Sequence, residues 1–129
     1  MIAIDTNILV RIFIDDLNDS QVKKSRDLAK KAKNVFLSEI VLVEMVWVLS
    51  RAYDLTKQQI LAILQEIYEN SAFVVEREQN FLEGLLLFRE NNADFSDCMI
   101  LVAAKKADVK DFYTFDEKFA KLKPVKKLA

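Results

Sequence analysis

Short apolar runs alternate along the chain with longer stretches whose apolar residues recur every three or four positions, and this alternation sets the expected elements. Ile2 to Asp5 reads as a short buried strand, followed by a helix from about Thr6 to Ile14 and a polar turn from Asp15 to Ser20. Ser20 to Lys33 is a helix with a heavily basic outer face. VFLS at Val35 to Ser38 is a second strand, with Ser38 placed to cap a helix from Glu39 to Ala52. Tyr53 to Leu55 breaks the pattern, and Thr56 caps a helix to about Asn70, on which Ile60, Ile63, Leu64 and Ile67 recur at helical spacing. FVVE at Phe73 to Glu76 is a third strand, Glu78 to Asn91 and Asp94 to Ala107 are helices, and DFYTF at Asp111 to Phe115 is a fourth strand.

Strands that alternate with helices imply an α/β fold with a parallel sheet covered on both faces, because parallel neighbours need a crossover. At 129 residues, with no stretch that reads as a linker, the expectation is one domain over residues 1–129. Function in such folds collects at the carboxyl ends of the strands, so polar residues there are the first candidates.

Composition narrows the chemistry. One glycine, Gly84, and one proline, Pro124, argue against an all-β fold, a phosphate-binding loop and a dinucleotide fingerprint. Hydrophobic residues make up 52% of the chain, yet the longest apolar candidate, Ile40 to Leu49, is too short for a bilayer and contains Glu44. No membrane segment or secretory signal is expected, and the single cysteine, Cys98, fits a reducing cytoplasm. The net charge of −1 gives no global attraction to nucleic acid. Histidine is absent, which removes histidine acid–base chemistry, the usual triads and the common zinc sites. Carboxylates remain.

Asp5 ends the first strand and either caps the next helix or serves a site. Asp116, after the fourth strand, carries the same two readings. Asp94 and Asp97 stand three apart at a helix start, the spacing of a capping box. Glu44 lies mid-helix among Val41, Val43, Met45, Val46, Trp47 and Val48, so its carboxylate is expected against apolar surface, in need of a cation or a partner such as Arg11 or Arg51. Glu39, at a helix start, is explained by the helix dipole. Asp5, Glu44, Asp97 and Asp116 can all converge on one end of the sheet. Two like charges about 4 Å apart repel by roughly 4 kcal/mol at an effective dielectric near 20, so four call for a counter-ion. Oxygen-only ligation selects Mg²⁺ or Mn²⁺, which takes substrate phosphates as remaining ligands. Thr6, Asn7, Ser96 and Thr114 are neutral hydrogen-bonders placed to orient ligands or water.

The segments DTNILVR at Asp5, SEIVLVEMVWVL with Glu44, DFSDCMILVAA with Asp94 and Asp97, and YTFDEKF with Asp116 together resemble the PIN-domain ribonucleases, in particular VapC-type toxins. The resemblance spans nearly the whole chain. It implies a single PIN-like domain with a four- or five-stranded parallel sheet and helices on both sides, and Mg²⁺- or Mn²⁺-dependent endonuclease cleavage of RNA. It also implies Asp5, Glu44, Asp97 and Asp116 as the catalytic and metal-binding acids, Thr114 as a supporting hydroxyl, Asp94 as an extra acid, a homodimer, and a cognate antitoxin lying in a hydrophobic groove. One departure is Ala107-Asp108, where the family often has a glycine.

RNA then needs a local grip. Arg11 is the favoured contact; the Lys23 to Lys33 basic cluster and the lysine-rich tail from Lys118 either touch phosphates or are solvated surface. Trp47 and the Phe81 to Phe88 run carry more apolar residues than one helix face needs, and serve either a dimer and antitoxin surface or the core. Two other readings are a catalytically silent RNA- or protein-binding domain of the same fold, and a phosphatase with a strand-end aspartate nucleophile. The phosphatase is disfavoured by Asn7, where a second aspartate would be needed.

Overall fold

The computed structural model describes residues 1–129, which form two compact units, Met1–Glu78 and Gln79–Ala129. The first unit contains β1 (Ile2–Ala3), α1 (Thr6–Phe13), α2 (Asp19–Lys31), β2 (Val35–Leu37), α3 (Glu39–Arg51), α4 (Lys57–Glu69) and β3 (Phe73–Val75). Its three strands pair in parallel in the order β1-β2-β3, with Val35 opposite both Ile2 and Phe73. Each neighbouring pair is joined by two helices. The elements expected from periodicity are all present, and most end a residue or two earlier than expected.

Side chains at the helix starts explain where the helices begin. Asn18 accepts from Gln21 N–H at 3.2 Å and Ser38 from Val41 N–H at 3.2 Å. Thr56 and Gln59 form a reciprocal capping box, the hydroxyl accepting at 3.2 Å and the amide oxygen accepting at 2.9 Å. Each such cap contributes about 1 kcal/mol. The end of α1 is closed from outside: Arg26 of α2 shares its Nε–H between the carbonyls of Arg11, at 3.2 Å, and Ile12, at 3.1 Å. These are carbonyls that the last helical turn leaves without a partner. Leu9 of α1, Leu37 of β2, Leu42, Met45 and Leu49 of α3 and Leu64 of α4 are fully buried.

The second unit contains α5 (Glu78–Glu90, its first residue lying in the first unit), α6 (Phe95–Lys106), β4 (Phe112–Thr114), a short 3-10 turn at Phe119–Lys121 and β5 (Val125–Lys127). β4 and β5 form a two-stranded parallel sheet. Five strands are therefore present, hydrogen-bonded as three and two. The fifth lies in the lysine-rich tail, which has no apolar alternation to announce it: Val125 is buried while Lys126 and Lys127 reach Asp111 at 2.7 Å and Glu117 at 2.8 Å. These two lysines are ion-paired at the surface.

Phe95 sits between Phe81 and Phe88, with ring centroids 6.5 Å and 5.6 Å away and edge-to-face tilts. Phe81, Leu85 and Phe88 are core, so that part of the apolar surplus on α5 is packing rather than an interaction surface. At the Ala107-Asp108 departure, Asp108 takes the left-handed conformation, φ 61°, that a glycine would adopt. Its N–H donates to Lys105 O at 3.0 Å and that of Val109 to Ala104 O at 3.1 Å, the paired bonds of a Schellman motif. The turn forms without glycine because aspartate tolerates that region better than most residues. No helix is long and apolar enough to cross a membrane.

Gly84 is buried on α5 where an added Cβ would overlap Met99 Sδ on α6. Overpacking costs about 1–3 kcal/mol and the helix-propensity gain from Gly to Ala is about 1 kcal/mol, so Gly84→Ala is expected to lower stability by about 1 kcal/mol. Urea unfolding of Gly84→Ala beside the wild type, and of the double variant beside Met99→Ala, checks this: the loss should vanish in the Met99→Ala background.

Candidate active site

In the first unit, Asp5 follows β1 in extended conformation and caps α1, its Oδ1 accepting from Ile8 N–H at 3.1 Å. The capping reading of Asp5 is therefore right, and it uses only one of the two carboxylate oxygens. The next residue, Thr6, donates its hydroxyl to Glu44 Oε1 of α3 at 3.1 Å. Asp5 and Glu44, 39 positions apart in the chain, are thereby joined through one threonine.

Glu44 is exposed, against the expectation that apolar neighbours would bury it. α3 buries Leu42, Met45, Val46 and Leu49, and turns Ile40, Glu44, Trp47 and Arg51 outward at intervals of three and four. Ile40 and Trp47 are 71% and 57% exposed, so Trp47, for which the sequence left surface and core both open, lies on the surface. Neither expected arginine pairs with Glu44. Arg51 lies over the Trp47 ring, 4.9 Å from its centroid, and Arg11 turns to Asp16 at 3.8 Å. Glu39 is also more engaged than a helix-start residue need be: its N–H donates to Glu76 Oε1 at 3.1 Å, and its carboxylate stands 3.9 Å from Arg77.

Beside Asp5 lies a groove of about 350 Å³ lined by Asn7, Arg11, Gln21 and Lys24, among others. Of the basic cluster on α2, Lys24 lines the same groove as Asp5, whereas Arg26 is committed to the α1 carbonyls and to Asp15 at 3.1 Å.

In the second unit, Asp94 occupies the N-cap position of α6 but makes no side-chain cap bond. The capping box suggested by the Asp94–Asp97 spacing does not form at Asp94. Asp97, in the first turn, is half-buried, and its carboxyl is pushed above the ordinary value of 3.8 by burial first, then by the negative charges of Asp94 and Asp116. Asp116 Oδ1 accepts from the N–H groups of Lys118, at 2.8 Å, and Phe119, at 3.3 Å. Thr114 Oγ1 accepts from Asp116 N–H at 3.0 Å, fixing the turn that presents this acid. Ser96 is half-buried in the first turn of α6.

The structure therefore groups Asp5, Thr6 and Glu44 in one unit and Asp94, Asp97 and Asp116 in the other. Neither unit by itself gathers three or more carboxylates or thiols in metal-holding geometry. In the second cluster the charge of Asp97 is disfavoured by burial and then by its two acidic neighbours, which a cation or a proton relieves.

The fold and the placement of these acids define an α/β protein of parallel strands with carboxylates near the starts of its helices. Comparison with known proteins is more specific. The VapC ribonuclease of Aquifex aeolicus (strain VF5) is 29% identical over 96 residues, which cover 74% of this chain and 71% of that protein. Among solved structures, the Mycobacterium tuberculosis toxin VapC20, described as cleaving the sarcin–ricin loop, aligns over 94% of both chains with 20% identity and a TM-score of 0.46. A family model described as the PIN domain matches residues 2–124, and the chain belongs to that family. Within it, the chain is similar to VapC ribonucleases.

The raised Asp97 carboxyl has a thermodynamic consequence. The folded state holds this proton more tightly than the unfolded one, so the group costs no stability below about its unfolded value of 3.8 and a growing amount as pH rises through its higher folded value. In metal-free buffer, Asp97→Asn is expected to raise the thermal midpoint at pH 7, with the gain fading as pH falls below 4. Melting curves of both proteins from pH 3 to pH 8 measure this.

Proposed function

We propose that the chain is a divalent-cation-dependent endoribonuclease, the toxin of a toxin–antitoxin pair, in which residues 1–129 act as one PIN domain. The observation that carries this reading is the pair of acidic clusters, Asp5–Thr6–Glu44 and Asp94–Asp97–Asp116, on a chain of the PIN family. Asp5, Glu44, Asp97 and Asp116 are the acids assigned to hold Mg²⁺ or Mn²⁺, with Asp94 as an additional one. The donor set suits a hard cation: every candidate ligand is oxygen, the chain has no histidine, and the Asp97 carboxyl is raised by burial and then by Asp94 and Asp116. When bound, the cation supplies Lewis acidity toward the phosphodiester and lowers the pKa of a water to make the nucleophile.

The remaining roles belong to the chain's own residues. Thr6 orients Glu44 through its hydroxyl, and Thr114 orients Asp116 through the backbone N–H it accepts. A residue that holds a ligand in place in this way typically contributes about 10–100-fold in metal affinity or activity. Asn7 and Arg11 line the groove beside Asp5, where RNA phosphates are to be gripped.

The protein partners of this reading are a second copy of the chain and a cognate antitoxin. Their surface is assigned to exposed apolar residues, foremost Ile40 and Trp47 on the outer face of α3, together with the exposed Leu86 of α5. The compartment proposed is the cytoplasm, in keeping with a single cysteine, which leaves no internal disulfide.

Incubation of a mixed RNA pool with Mg²⁺, with Mn²⁺ and with EDTA tests the central claim. Cutting is expected with either metal and not with EDTA. Asp5→Asn and Glu44→Gln should each reduce cleavage by at least about 100-fold with little change in melting temperature, since loss of about 3 kcal/mol of transition-state stabilisation has that effect. Glu39→Gln should retain most of the activity. Full cleavage by either Asp5→Asn or Glu44→Gln would falsify the site assignment. Sedimentation of the chain alone at micromolar concentration is expected to give twice its 14.9 kDa mass, and a monomer would remove the homodimer from the proposal.

A further inference from the structure

The groove between α1 and α2 opens beside Asp5, and its other polar lining residues are Asn7, Arg11, Gln21, Lys24 and the buried Ser25. Two cations and two amides next to one acid make a wall suited to the backbone of a nucleic acid strand. Arg11 is held there in an incomplete way. Its NH1 group donates to Asn7 O at 3.3 Å and its NH2 group stands 3.8 Å from Asp16 Oδ2, while Nε is buried without a partner. A separation of 3.8 Å is an ion pair but too long for a hydrogen bond, so the guanidinium keeps unused donors.

Asp16 is fixed from a distant part of the chain. Tyr53, just past the end of α3, donates its hydroxyl to Asp16 Oδ2, and Asn18 N–H donates to Oδ1 at 2.9 Å. These bonds hold the Asp16 carboxyl below its ordinary range and push the Tyr53 hydroxyl above its own, so the acid is charged and the phenol neutral at neutral pH. Arg26, the other arginine on this face, has its Nε–H engaged by the α1 carbonyls.

We infer that Asp16 and Tyr53 are positioning residues: Asp16, braced by the Tyr53 hydroxyl, keeps the Arg11 guanidinium in the α1/α2 groove, where it and Lys24 take a backbone phosphate of single-stranded RNA beside Asp5. This deepens the ribonuclease reading and rests on it. A guanidinium suits the role because its planar fork can meet two phosphate oxygens while another edge faces the carboxylate.

Binding without cleavage separates this inference from catalysis. The probe is a fluorescein-labelled single-stranded RNA of mixed sequence, about twelve nucleotides long, followed by anisotropy in EDTA over a series of KCl concentrations. The wild-type chain should bind with an affinity that falls as salt rises. Arg11→Ala and Lys24→Ala should each weaken binding about tenfold and reduce the slope of log affinity against log salt by about 0.7, the loss of one phosphate contact. Tyr53→Phe should weaken binding about threefold to tenfold with the slope unchanged, because it removes a brace and no charge. In cleavage assays Tyr53→Phe should raise KM and leave kcat near wild type. Wild-type affinity in Tyr53→Phe, with only a lowered melting temperature, would reduce the Tyr53–Asp16 contact to a structural tether and overturn the inference, as would failure of the wild-type chain to bind. A chain that binds in the expected pattern but cuts RNA with neither metal would sink the ribonuclease reading and leave the groove assignment standing.

Discussion

The hydrogen bond from Ile8 N–H to Asp5 Oδ1 couples the fold to the chemistry of the first unit. A helix that begins directly after a strand leaves N–H groups without partners, and a short acidic side chain is among the best caps for them. The same geometry leaves the second oxygen of Asp5 outside the cap and sets Thr6 on the first turn, from which its hydroxyl reaches Glu44. Loss of the cap would loosen the start of α1 and with it the threonine that links two of the candidate acids. Capping and function, which the sequence offers as alternatives for Asp5, are compatible uses of one carboxylate.

The second unit handles its acids differently. Asp116 is held by two backbone N–H groups and by the Thr114 turn, so its position is determined locally. Asp94, at an N-cap position with no cap bond, and Asp97, half-buried beside it, are less well compensated. Burial first, and then the charges of Asp94 and Asp116, raise the Asp97 carboxyl above its ordinary value. Clusters in which burial and like charge act on the same group are a recurrent mark of functional sites. Membership of the PIN family gives this cluster a chemical context.

α3 shows how the surface of the first unit serves two purposes. One face buries Leu42, Met45 and Leu49, and the other presents Glu44 between exposed Ile40 and Trp47. Arg51 covers part of the Trp47 ring without neutralising Glu44.

Strand and helix order, the caps at Ser38 and Thr56, and the identity of the candidate acids were legible from residue type and spacing, because capping and amphipathic periodicity are local effects over a few residues. The fifth strand was not legible, since Val125 to Lys127 earns its place by pairing with β4 rather than by its own pattern. Nor was the exposure of Glu44: apolar residues on all sides of it predict burial, and only the packing of α3 decides which face turns inward. Asp16 and Tyr53, 37 residues apart, carry no joint signal in the chain and meet only in the folded unit. By itself the sequence determined the parallel α/β class and the absence of histidine from any candidate donor set, since both follow from composition and short-range order. The tertiary structure decided which carboxylates are exposed, shared or strained, because solvation and charge coupling depend on neighbours that are distant in sequence and close in space.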